Sequence, residues 1–117
     1  MNNEEFVNAI RTAVEQSTIN SLIKEFEESK LPSEEFKKMS AFYNTLNESG
    51  KDMVKQIMLE SVQSTIFGFL CVIDGVRAIE KGPGKGRLEL WYKKESSNES
   101  LMLNSPDSEF LHDIYNT

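Results

Sequence analysis

The sequence predicts an α+β fold, on three observations. Apolar residues recur at helical spacing through the first two-thirds of the chain. The character switches to strict alternation over Arg87–Lys93, and a short apolar helix pattern closes the sequence. The expected architecture is a set of N-terminal helices with one long, central, buried helix. A small antiparallel β-hairpin or three-stranded sheet and a short C-terminal helix follow. With 117 residues, 38% of them apolar, and seven Phe, three Tyr and one Trp, one domain spanning 1–117 is expected.

Taken in order, Asn3 can cap a helix carrying Phe6, Ile10 and Val14 at four-residue spacing. The pattern stutters at Ser17-Thr18, then resumes as Ile19, Leu22, Ile23 and Phe26. Leu31-Pro32 is expected to stop that helix, because the residue before proline is pushed out of the α region. Ser33 caps the next, with Glu34 and Glu35 in its first turn and Phe36, Met39, Tyr43 and Leu46 on its apolar face.

After a break at Asn47–Gly50 comes the longest helix pattern, roughly Lys51–Ile73. Its stripe is Val54, Met58, Val62, Ile66, Phe69 and Ile73. Ile57, Leu59, Phe67, Leu70 and Val72 widen the stripe until its end is apolar nearly all round, which predicts central burial. Asp74-Gly75 marks its end. Val76–Glu80 reads equally as added helix or as a short strand, and Gly82-Pro83-Gly84-Lys85-Gly86 is a turn.

In the strand, Leu88, Leu90 and Tyr92 project to one face and Arg87, Glu89, Trp91 and Lys93 to the other. Leu101-Met102-Leu103 returns as its partner, with Met102 beside Trp91. Ser105-Pro106-Asp107 opens the last helix, whose Phe110, Leu111 and Ile114 fold back on the sheet.

Charge narrows the function classes. The formal net charge is −6, yet residues 77–94 carry six basic groups against Glu80 and Glu89. Residues 1–35 and 95–117 are acidic. A net negative chain disfavours nucleic acid as a partner, since phosphate neutralisation supplies most of that affinity; a cationic protein is favoured instead. The N-terminus has no basic-then-apolar signal pattern. The uncharged run Ser61–Ile73 reads as too short and too polar to cross a bilayer, and no membrane partner is expected. With a single cysteine, the expected compartment is the cytoplasm.

Catalytic, cofactor and metal sites are not expected. His112 is the only histidine and Cys71, the only thiol, lies in the most apolar stretch, where thiols are inert packing groups. One His and one Cys cannot close a zinc site, and no D-x-D-x-D-G loop is present for a hard cation. The glycine-rich turn departs from a Walker loop: Gly86 follows Lys85, and Pro83 removes a backbone donor.

The candidates for partner contact are Glu25, Glu27 and Glu28 in one acidic cluster, and Asp107, Glu109 and Asp113 in another. Trp91 is either covered by the C-terminal segment or free to act as a binding anchor.

The stretch Ser64–Val76, the later Leu88-Glu89-Leu90-Trp91-Tyr92 and the closing Leu111-His112-Asp113-Ile114-Tyr115 resemble a group of small, acidic bacterial proteins. Such proteins are similar to the immunity proteins of bacterial toxin systems, including contact-dependent inhibition. The resemblance implies a non-enzymatic function, in which the chain occludes a cognate, basic toxin domain. The alternative reading is a small-molecule-sensing or accessory subunit with an apolar pocket between helix and sheet, near Tyr92 and Trp91.

Overall fold

The computed structural model describes all residues, Met1–Thr117. The class is α+β and mostly helical: α1 (Asn3–Ile10), a π-helical turn (Arg11–Gln16), α2 (Ser17–Glu28), α3 (Glu34–Thr45), α4 (Glu48–Ile73), β1 (Trp91–Lys93), β2 (Ser100–Met102) and α5 (Leu111–Tyr115). Packing divides the chain into two compact units, Met1–Arg11 with Ser64–Thr117, and Thr12–Gln63.

Local chemistry accounts for most boundaries. The cap of α1 is Asn2, whose Oδ1 accepts the Glu5 N–H at 2.8 Å, one residue earlier than expected. The stutter before Ile19 is taken up by the π turn, whose wider winding shifts the apolar face without breaking the helix. Ser29 ends α2 in the left-handed region at φ 53°, ahead of the Leu31-Pro32 stop. Ser33 caps α3 as expected. Asn47 Oδ1 accepts the Gly50 N–H, so α4 starts at Glu48 and the break shrinks to Leu46-Asn47. Past α4, Gly75 takes φ 79°, the left-handed turn that ends helices. Val76–Glu80 forms neither helix nor strand.

The unit Thr12–Gln63 is centred on aromatic packing between α2 and α3. Phe26 stacks on Phe36 at 5.1 Å between ring centroids and tilts against Tyr43 at 5.7 Å. The carbonyl of Phe26, near the end of α2, accepts from Ser40 Oγ and Asn44 Nδ2 of α3. Lys51 lies over the Tyr43 ring, and the Tyr43 hydroxyl is buried without a hydrogen-bond partner.

The other unit, Met1–Arg11 with Ser64–Thr117, holds the main apolar cluster. Val7, Leu70, Leu111, Ile114 and Tyr115 form it, with Phe6, Ile66, Phe67, Ile73 and Leu90 packed around them. Two strands pair antiparallel, Trp91 with Met102, Tyr92 with Leu101 and Lys93 with Ser100, so the two faces are those the alternation predicted. The strand is shorter than predicted, and Leu88 is left exposed.

One expectation is corrected. The long helix exists, but it is not buried all round: its buried positions are Gly68, Leu70 and Cys71, all near its C-terminal end. The predicted stripe passes through Phe69, which is 64% exposed, whereas the neighbouring Leu70 is the buried residue. Periodicity fixes which residues share a face, but not how many faces find a neighbour. Met53, Ile57 and Leu59 are also exposed. By length and composition alone α4 is apolar enough to cross a membrane, with a mean hydropathy of 1.5 over 18 residues, a correction to the count of the uncharged run. Core helices of soluble proteins, which are mostly buried, pass the same test; 17% of this window is buried.

Candidate functional site

The chemistry-bearing side chains of Ser64–Thr117 gather where α4 ends. Asp74, just past the last turn of α4, has a fully buried side chain. Its Oδ1 accepts the Leu111 N–H at 3.2 Å, and its Oδ2 accepts the His112 N–H at 2.9 Å. The His112 Nδ1 lies 2.6 Å from the same Oδ2. Asp74 therefore caps α5 from a distant part of the chain and fixes the imidazole that α5 carries. Phe110 stacks on that ring and Phe67 meets it edge-on. The second ring nitrogen, Nε2, is 3.4 Å from Asp113 Oδ1.

This aspartate–histidine pair is the feature that sequence reading missed. Asp74 reads as helix punctuation and His112 as isolated, and a separation of 38 positions leaves no local signal. A dyad of this kind is two of the three parts of a nucleophilic triad. The third part is not supplied by Cys71. Both imidazole nitrogens face carboxylates, and burial pushes the Cys71 thiol pKa up. Arg77 opposes that shift, while Asp74 and Asp113 add to it. A nucleophilic thiol needs the opposite environment. No three His, Cys, Asp or Glu side chains converge in metal-binding geometry.

The predicted contact residues fall into both units. Glu25, Glu27 and Glu28 lie on α2 in Thr12–Gln63; Glu27 and Glu28 are exposed, Glu25 is half-buried, and Glu28 pairs with Lys30 at 3.6 Å. Asp107, Glu109 and Asp113 are exposed along the approach to α5 and on it. Trp91 is not covered by the C-terminal segment: it is 47% exposed, its indole N–H donating to Glu89 Oε1 at 3.1 Å.

Two clefts open on the unit that contains the sheet. One, about 420 Å³, includes Tyr92 but not Trp91, among the polar neighbours Glu5, Lys94 and Glu99. The larger, about 610 Å³, lies between the end of α4 and the segment 76–88. No family model, characterised protein or solved structure matches the chain.

Proposed function

We propose that this chain is a non-enzymatic binding protein that occludes a basic protein partner, in the manner of an immunity protein neutralising a toxin domain. The observation that carries this reading is the surface of Thr12–Gln63. On α3, Glu35, Met39 and Phe42 share a face by helical spacing, and Phe42 is 62% exposed. On α4, Met53 and Ile57 do the same, at 55% and 59%. Large apolar side chains left in water and set among charges have the composition of an interface core with a polar rim. The unit holds nine acidic residues against six lysines, so the complementary surface is cationic.

The test is co-expression with a candidate basic toxin domain, followed by calorimetric titration of the purified pair. Phe42→Ser and Ile57→Ser should each weaken binding about 10- to 100-fold through loss of apolar anchors. Glu27→Lys with Glu28→Lys should slow association and flatten its salt dependence. Growth that is not rescued by the wild-type chain, or an affinity unmoved by all four substitutions in folded protein, refutes the reading.

A further inference from the structure

We propose that the larger cleft is a binding site for a small amphipathic carboxylate, such as a medium-chain fatty acid. Its apolar wall exposes Val76, Ile79 and Leu88 to solvent at 52%, 68% and 45%. Its polar wall carries Arg77, Lys85 and Arg87. None of these three cations has a carboxylate oxygen within 4.0 Å, although the chain as a whole has an excess of acid. The carboxylate of Glu80, in the same wall, instead accepts the Gly86 N–H at 2.8 Å.

The walls are held in place before any ligand arrives. Asn104, 8% exposed, donates from one amide nitrogen to Ile73 O at 2.7 Å and to Leu88 O at 2.9 Å. Both residues line the cleft, so one buried side chain ties the end of α4 to the segment that follows the glycine-rich turn. The Asn104 backbone carbonyl accepts from Arg87 Nη2 at 3.1 Å, which fixes a guanidinium at the rim with its other N–H groups free. The volume is in the ordinary range for small-ligand sites.

Charge and shape together select the ligand. Exposed apolar side chains call for an apolar body, and an oriented guanidinium calls for a planar oxyanion. A polyanion such as nucleic acid would meet the field of the whole acidic chain, whereas a monoanion with an alkyl tail meets mainly the local cations. The site is independent of the protein-binding surface proposed above.

Amide chemical shifts of the full chain, titrated with decanoate below its micelle concentration, test the proposal. Decanoate should give saturable shifts confined to 72–80 and 85–90, and decanol and acetate should each bind at least tenfold more weakly. Lys85→Gln and Arg87→Gln should each weaken decanoate at least fivefold without changing decanol, and Lys85 is exposed enough that its replacement leaves the fold intact. Phe42→Ser should leave decanoate affinity unchanged. Equal binding of decanol and decanoate, equal binding of acetate, shifts that never saturate, or binding only to anionic vesicles would each overturn it.

Discussion

Replacing Asp74 by alanine removes three hydrogen bonds at once, two to the backbone of α5 and one to the His112 ring. The helix it caps is five residues long, far below the length at which an isolated helix persists in water. Its other end is closed by Arg11, whose Nη2 donates to the Ile114 and Tyr115 carbonyls at 2.8 Å each. Hydrogen bonds to a charged group contribute about 1.5–3 kcal/mol apiece, and a buried donor left without its acceptor costs about 1–3 kcal/mol. The three bonds share one carboxylate, so the sum is not additive, and Asp74→Ala should destabilise the chain by about 3–4 kcal/mol. At roughly 4 °C per kcal/mol for a chain of this size, the melting temperature should fall by about 12–16 °C.

Asp74→Asn separates charge from shape. Its amide oxygen can still accept a backbone N–H, so the loss should shrink to about 1–2 kcal/mol. Urea unfolding followed by far-UV circular dichroism measures both variants. Hydrogen exchange at the Leu111 and His112 amides reports the local loss of protection. A loss below about 1 kcal/mol for the alanine variant, with those amides still protected, would refute the claim that a remote carboxylate holds α5 in place.

Three further outcomes follow from the same structure. Asn104→Asp keeps the shape but withdraws the donors to Ile73 O and Leu88 O, and two part-buried carbonyls left unpaired should cost about 1–3 kcal/mol in urea unfolding. Tyr43→Phe removes a buried hydroxyl that has no partner, so calorimetry should show stability unchanged or raised by up to about 1 kcal/mol; a large loss would reveal a hidden partner. Burial raises the Cys71 pKa above the ordinary thiol value of 9.0, so the unfolded chain loses this proton at lower pH than the folded chain does. That contribution to stability is complete below the unfolded pKa and declines as pH climbs from about 9 toward the folded pKa. Cys71→Ala should flatten this decline, and native Cys71 should react with a thiol reagent at pH 8 far more slowly than the urea-unfolded chain does.

How much of this was legible depends on the range of each interaction. The cap of α3 by Ser33, the end of α4 at Gly75 and the pairing of Trp91 with Met102 are set by neighbours in sequence or by alternation, and each was readable. The π turn was visible only as a shift in the apolar pattern before Ile19, because periodicity records phase but not winding. The exposure of Ile57 and Phe69 was not readable, since a stripe says which residues face together and is silent on what lies opposite. The same limit applied to Trp91. Residues 105–110 look like a helix opening, yet helix begins only at Leu111, where Asp74 supplies the missing cap.

The unit Met1–Arg11 with Ser64–Thr117 shows why the acidic end of the chain folds at all. Residues 95–117 carry five acidic groups and no basic ones, and α5 contributes only Leu111, Ile114 and Tyr115 to the buried cluster. Apolar burial of three side chains is a modest return for ordering so polar a segment. The difference is made up by side chains that reach backbone groups far away in sequence: Asp74 at the start of α5, Arg11 at its end and Asn104 across the strand entry. The two charged ties are correctly signed for the helix dipole, an anion at the N-terminus of α5 and a cation at its C-terminus. Arg11→Met, which keeps the packing stem and removes the cation, should therefore loosen α5 before it loosens the Val7–Leu70 contact region. Hydrogen exchange would show this as lost protection at Ile114 and Tyr115, with the amides of Leu70 and Cys71 unchanged. Unchanged protection at Ile114 and Tyr115 would mean that α5 is held by apolar packing alone, and simultaneous loss at both places would mean that α5 and the core open as one unit.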